Sequence, residues 1–148
     1  MRMVLTVPPS IERQFKRAAR KAWPRETWAF LIGTIAGDHA YVDELFFPED
    51  VDAYCTEGSV HIQDRWFVDA AEQAKESEAV ILGAGHSHPY RKGFNCLRDR
   101  AHSEADMDTS LAKMISGVCV VQEMKDGRLR ASMRWWGPSV ELRVERGD

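Results

Sequence analysis

Apolar stretches of strand length, separated by amphipathic stretches of helix length, constrain most strongly what this chain can fold into. Residues 28–35 and 79–84 are almost continuously apolar, which is typical of buried strands. Residues 11–22 and 64–77 instead repeat their apolar side chains at helical spacing, so each presents one apolar face. The sequence therefore predicts buried strands together with helices that pack on one side.

The remaining strand and turn signals define the fold class. Further strands are predicted at residues 39–47, 60–62, 118–124, 128–136 and 140–144, and a third helix at residues 103–114. Because strands and helices are mixed without strict alternation, the predicted fold is α/β (α+β), with a central mixed sheet flanked by helices. A length of 148 residues fits a single domain that spans residues 1–148.

Local signals set the ends and inner faces of the first two helices. Ser10 is a candidate N-cap of the first helix, and Pro24 should end it. The inner face of the second helix is predicted to contain Phe67, Ala70, Ala71 and Ala74.

Charge and cysteine content exclude several classes of protein. The net charge of −3 gives no reason to expect a nucleic-acid partner. The three cysteines have no regular spacing, which argues against a disulfide framework and for a reducing compartment. No apolar run approaches the ~18 residues of a membrane span, and the first apolar patch is too short for a signal peptide. We expect a cytoplasmic protein without a membrane partner.

Two histidines follow the second apolar strand and form a candidate metal site. His86 and His88 are two residues apart, and side chains at that spacing project from the same face of a strand. Zinc accepts imidazole nitrogen and carboxylate oxygen at about 2.0–2.2 Å, and a catalytic zinc keeps one position open for water. A carboxylate is the expected third ligand. Taken alone, a His-x-His pair is more often an ordinary surface or core feature.

Carboxylates and a hydroxyl elsewhere in the chain have two interpretations each. Ser103 and Asp106 open the third predicted helix and fit a capping box. The free N–H groups of that helix end could also stabilise a developing oxyanion beside a metal. Glu26 precedes the first apolar strand, where an ordinary strand-start carboxylate is the simpler interpretation.

Taken together, these residues resemble the JAMM motif of the JAB/MPN metallopeptidases, of the prokaryotic or phage type. The sequence holds His-x-His-Pro at residues 86–89, Ser-x-x-Asp at residues 103–106 and, upstream, Glu26 before an apolar strand that ends at Gly33. The order of predicted elements is also similar to that of the family. The resemblance covers about residues 10–136, and the combined motif is specific where His-x-His-Pro alone is not.

The resemblance implies a set of roles for these residues. His86, His88 and Asp106 would bind zinc, with water in the fourth position. Glu26 would act as general base and then as general acid, and Ser103 would help to hold the oxyanion. The chain would then be a zinc-dependent peptidase.

The spacing of the third ligand departs from the family pattern. The family usually places ten residues between the second histidine and the aspartate, and that count from His88 leads to Asp99. The corresponding serine position then holds Cys96. Asp106 lies seven residues later but matches the local pattern and opens the predicted helix, so Asp106 is preferred. Residues 90–101 would then form a lengthened loop beside the metal.

Substrate and assembly are expectations from the same resemblance. The expected partner is a protein or peptide substrate, such as the C-terminal tail of a ubiquitin-like protein, cleaved at an amide or isopeptide bond. The alternative function is a non-catalytic MPN-type scaffold or protein-interaction module, because some family members lack the metal and assemble complexes. A homodimer is compatible with either function.

Substitution of each aspartate in turn distinguishes Asp106 from Asp99 as the third zinc ligand. Asp106→Ala should abolish zinc retention, because it removes a direct ligand, whereas Asp99→Ala should leave zinc content unchanged. Elemental analysis of the purified variants measures this directly. The reverse pattern would show that the family's spacing decides the ligand and that Cys96 stands in the serine position.

Overall fold

The computed structural model describes residues 2–90, 115–137 and 141–146 of the chain. Its elements, in chain order, are β1 (Arg2–Val7), α1 (Pro9–Ala22), β2 (Trp28–Ala36), β3 (His39–Phe46), a short 3-10 helix (Val51–Tyr54), α2 (Asp64–Glu76), β4 (Val80–Tyr90), β5 (Ile115–Glu123), β6 (Leu129–Trp136) and β7 (Glu141–Arg146). The seven strands form one sheet in the order β6-β5-β4-β2-β3-β1-β7.

The sheet is mixed, as predicted. Strands β4 and β5 are parallel, and β1 is parallel to both β3 and β7. The pairs β2–β3, β2–β4 and β5–β6 are antiparallel. The two described helices pack against this sheet, which confirms the predicted class of a mixed sheet flanked by helices.

Alternation along β2 explains how both faces of the sheet are covered. Trp28 and Phe30 belong to the apolar cluster that includes α2, whereas Ala29 and Leu31 belong to the clusters that include α1. Successive side chains of a strand point to opposite faces, so α1 and α2 lie on opposite sides of the central strands. A strand buried on both faces is continuously apolar, and residues 28–33 of β2 are buried. Thr34, Ile35 and Ala36 are exposed, so the buried part ends earlier than the predicted residues 28–35.

Two expectations about the helices were wrong in detail. Helix α1 begins at Pro9 with Pro8 as its N-cap and no side-chain capping bond, so Ser10 lies inside the first turn. A proline at the first helical position suits this start, because its fixed φ is already helical. In α2 the buried residues are Trp66, Ala70 and Ala74.

The inner face of α2 is set by tryptophan rather than by phenylalanine. Phe67 is 37% exposed and Ala71 is exposed, contrary to the prediction. Trp66 is almost fully buried because its ring packs edge-on to Tyr54 and its Nε1 donates to Asp50 Oδ1 at 2.8 Å. Burial of the larger aromatic ring fixes the rotation of the helix.

One strand of the structure was not predicted, and one predicted strand is absent. Strand β1 was not predicted, and its place in the sheet depends on pairing with β3 and β7, which are distant in sequence. Residues 60–62 form no strand: Val60 makes a single bridge to Cys55, and the segment folds back on its own neighbours. The third predicted helix, residues 103–114, lies outside the described residues.

No helix in the described parts of the chain combines the length and the apolar character that a membrane crossing requires.

Candidate metal centre

The pairing of β2 with β4 brings three potential metal ligands to one place. Trp28 of β2 lies opposite His86 of β4 in an antiparallel register, and Ser87 N–H donates to the Thr27 carbonyl at 3.1 Å. Continuing this register places Glu26 opposite His88. Because side chains two apart share a face, Glu26, His86 and His88 all face the side of the sheet that α2 covers.

Strand β4 continues through the His-x-His-Pro sequence to Tyr90, although proline within a sheet is usually confined to strand ends, edges and bulges. Ser87 N–H points toward β2, so the nitrogen of Pro89 two residues later points the same way. At that position β2 has already ended at Trp28, and no ladder bond is lost by the missing N–H. The continuous strand, paired with β5 up to Tyr90, holds both histidines rigidly.

The three side chains form a compact donor group. The Nε2 atoms of His86 and His88 are 2.8 Å apart. One potential ligand atom from each of Glu26, His86 and His88 lies within 4.8 Å of the others. Glu26 and His86 are buried, and His88 is half-buried. Buried imidazoles and a carboxylate in contact are costly unless they bind one another or a cation, so the group is suited to a metal.

The donor set fits zinc. Two nitrogen ligands on a tetrahedral zinc lie about 3.3 Å apart, given bonds of about 2.0–2.1 Å. The two Nε2 atoms therefore need to separate by only about half an ångström from their hydrogen-bonding distance. Two histidines and a carboxylate are among the ligand sets of catalytic zinc sites.

Packing behind His86 fixes its ring. The Trp28 ring lies nearly parallel to the imidazole, with ring centroids 6.3 Å apart and an angle of 24° between the planes. On the opposite face of the strand, a Cβ atom at Gly85 would lie 3.2 Å from the Phe15 ring. The glycine thus lets α1 approach β4 closely. The histidine strand is held between an aromatic ring on each side.

The backbone of Glu26 is held by a segment that the sequence analysis did not connect with the site. Glu26 N–H donates to the Thr56 carbonyl at 2.8 Å. Residues 48–56 are in turn attached to α2, because Asp50 accepts hydrogen bonds from both Arg65 and Trp66. The hydrogen bond with Arg65 holds the pKa of the Asp50 carboxyl below its usual value, so Asp50 stays ionised at neutral pH.

The buried thiol of Cys55 lies close enough to Glu26 for the carboxylate charge to affect its pKa. Burial raises its pKa to about 12, and the negative charge of Glu26 acts in the same direction. A thiol with this pKa is neutral at physiological pH in the protein without metal. Zinc binds the thiolate form of cysteine, so the neutral Cys55 thiol is a poor ligand. The imidazole nitrogens and the oxygen donors are therefore the favoured ligands.

Of the predicted site residues, the structure brings Glu26, His86 and His88 together. Ser103 and Asp106 lie outside the described residues, as do Asp99 and Cys96. The structure therefore shows a three-residue candidate metal site without testing the identity of the further ligand. Which role each residue has remains a prediction.

Comparisons with known proteins add information on the fold alone. No protein-family model matches the sequence, and no curated protein matches it. The chain is similar in structure to protein DSY2949 from Desulfitobacterium hafniense, at 15% identity and a TM-score of 0.56, covering 97% of this chain and 94% of that one. It is also similar to a protein from Salinibacter ruber, at 19% identity and a TM-score of 0.57, covering 97% and 92%.

A third similar structure is AF2198, a JAB1/MPN domain protein from Archaeoglobus fulgidus. It is 21% identical, and the alignment covers 97% of both chains with a TM-score of 0.48. The two solution structures show that the arrangement of strands and helices occurs in other proteins.

We predict that the protein binds one zinc ion per chain, with His86 and His88 of this group as ligands. Zinc should stabilise the folded protein by about 2.7 kcal/mol at a free concentration of about 100 times its Kd, because it binds the native state alone. His86→Asn and His88→Asn should each lose both the bound zinc and the stabilisation. Isothermal titration and thermal unfolding of tag-free protein measure these effects, with the exposed His61 changed to Asn as the matched control. Zinc binding that survives in both ligand variants would contradict the assignment.

Proposed function

We propose that the protein is a zinc-dependent metallopeptidase of the JAB/MPN type that hydrolyses an amide or isopeptide bond. The observation that carries this proposal is the convergence of Glu26, His86 and His88 at the end of one strand. The resemblance of the sequence to the JAMM motif supports it and adds two residues, Ser103 and Asp106, as oxyanion donor and further ligand.

Each described residue has a distinct part in the proposed reaction. Zinc, when bound, supplies a water whose pKa falls toward 7 and which can attack a carbonyl carbon at neutral pH. His86 and His88 would hold the ion through imidazole nitrogens. The Glu26 carboxylate accepts the proton of the attacking water and delivers it to the departing amine nitrogen, which makes the amine a better leaving group.

Burial of the group favours this chemistry. Trp28 and Phe30 exclude water from the side of the sheet on which Glu26 and His86 lie, and both rings are buried. In such surroundings charges interact more strongly than in water, so the carboxylate and the ion act on the substrate with little screening. Strands and backbone hydrogen bonds hold the donors in place before substrate arrives, so no large reorganisation precedes reaction.

Burial of the donor residues favours a flexible substrate. Glu26 and His86 are buried and His88 is half-buried, so a folded protein surface would reach them poorly. An extended tail, such as the C-terminus of a ubiquitin-like protein, can present its terminal amide bond to a centre of this kind. We therefore propose a protein or peptide substrate cleaved in an extended segment.

A non-catalytic MPN-type scaffold is the alternative to this function. Such a protein would not need a carboxylate and two imidazoles in contact in a largely buried position. The cost of burying these polar groups favours the catalytic proposal.

Substitution of Glu26 tests the proposal. Glu26→Gln should retain zinc but lose about 10²–10⁴-fold in the rate of hydrolysis, because the amide keeps the shape and cannot accept a proton. The assay is cleavage of C-terminal fusions to ubiquitin-like proteins by zinc-loaded protein. Glu49→Gln is the matched control, because it makes the same change at an exposed site within residues 48–56. This variant should remain active.

Two outcomes would change the account in different ways. Full activity of Glu26→Gln would remove the carboxylate from the mechanism. Loss of zinc from the same variant would make Glu26 a ligand rather than the general base.

A further inference from the structure

Ser87, which lies between the two histidines in sequence, has a buried hydroxyl that bonds to the residue next to Glu26. Ser87 Oγ accepts a hydrogen bond from Thr27 N–H at 2.8 Å, and Ser87 N–H donates to the Thr27 carbonyl at 3.1 Å. Ser87 is 1% exposed and Thr27 is 3% exposed, so water does not compete for these bonds. One residue of β4 thus holds both the N–H and the carbonyl of Thr27.

We propose that Ser87 is a positioning residue that holds the Glu26 carboxylate against the two imidazoles. The inference rests on the proposed metal centre. Glu26 N–H is bound by the Thr56 carbonyl, and the next N–H along the chain is bound by the Ser87 hydroxyl. With consecutive amides fixed in two directions, the Cα–Cβ bond of Glu26 has a defined orientation toward His88.

The location of the hydroxyl separates its effect from the metal ligands themselves. Ser87 alternates with His86 and His88 along β4, so its side chain leaves the strand on the side of α1, away from the imidazoles. Removing the hydroxyl therefore alters none of the three donor groups. Any change at the metal must be transmitted through Thr27 to Glu26.

If Ser87 had a purely structural role, loss of its hydroxyl would loosen the pairing of β2 with β4. The positioning role predicts otherwise. From Trp28 to Gly33, β2 pairs with β4 through backbone positions that do not involve the hydroxyl. The strands should therefore stay paired without it, and the effect of its loss should fall on the residues before Trp28. Glu26 is the residue of the candidate metal site in that stretch.

The first experiment measures amide hydrogen exchange by NMR in metal-free protein. Ser87→Ala should speed exchange at Thr27, because the buried N–H loses its acceptor, and should also speed it at Glu26. Ser116→Ala removes an equally buried hydroxyl from the neighbouring strand β5 and should leave both amides protected. Protection of Thr27 that persists in Ser87→Ala would overturn the proposal.

The second experiment uses Co²⁺ as a probe of the site, followed by its visible absorption. Substituting a group that orients a metal-site residue typically costs about 10–100-fold in metal affinity or activity. Because Glu26 is proposed as the general base and not as a ligand, Ser87→Ala should lower the rate of hydrolysis in that range and shift the Co²⁺ absorption band while the ion stays bound. Ser87→Thr should largely restore both the rate and the band. The absorption band also reports a carboxylate that approaches the ion through an intervening water.

A double-mutant cycle then tests whether Ser87 acts through Glu26. In a Glu26→Ala background, Ser87→Ala should cause no further shift of the Co²⁺ absorption band, because the group it positions is gone. An equal shift in both backgrounds, or no shift in either, would overturn the positioning role. If Ser87→Ala fails to fold, Ser87→Cys keeps the side-chain size with a weaker acceptor and replaces it in the cycle. Wild-type protein that takes up no Co²⁺ would refute the metal centre itself.

Discussion

The antiparallel register between β2 and β4 is the constraint on which the candidate site depends. Trp28 opposite His86 fixes Glu26 opposite His88, and the Thr27–Ser87 bonds extend the pairing to the edge of the site. A shift of one residue in this register would move the carboxylate to the opposite face of the sheet from the imidazoles. The apolar packing of β2 on both faces makes such a shift costly, because Trp28 and Phe30 would exchange places with their small neighbours.

The two described helices cover opposite faces of the sheet and support different parts of the site. Helix α1 covers the face of Ala29 and Leu31, and Gly85 lets its Phe15 ring approach the histidine strand closely. Helix α2 covers the face on which the donor group lies and, through Asp50, anchors the segment whose Thr56 carbonyl binds Glu26. The surroundings of the donors are therefore built from elements far apart in sequence, joined by burial and a few hydrogen bonds.

Much of the fold follows from periodicity, because an element's own pattern reports which of its faces is buried. The strands at residues 28–35 and 118–136 and both described helices were predicted on that basis. Strand β1 was missed because its pairing partners, β3 and β7, lie far along the chain. The rotation of α2 was wrong because the contact of Trp66 with Asp50 and Tyr54 is a tertiary interaction that helical spacing does not encode.

The site was predictable only in part for the same reason. The spacing of His86 and His88 at a strand end predicts a shared site. Only the resemblance to the JAMM motif indicated that Glu26 belongs to it. The hydrogen bond from Thr27 N–H to Ser87 joins residues 60 positions apart, and no local pattern indicates it. The pKa of Cys55 likewise depends on burial and on the charge of Glu26, both of which are set by folding.

We propose that two imidazoles and oxygen donors bind a single zinc ion at the end of β4. X-ray absorption at the zinc edge of protein loaded with one equivalent measures the ligand types and distances directly. We expect two imidazole nitrogens with the remaining ligands oxygen, all at about 2.0–2.2 Å. A sulfur ligand at about 2.3 Å, or zinc surrounded by water alone, would contradict it.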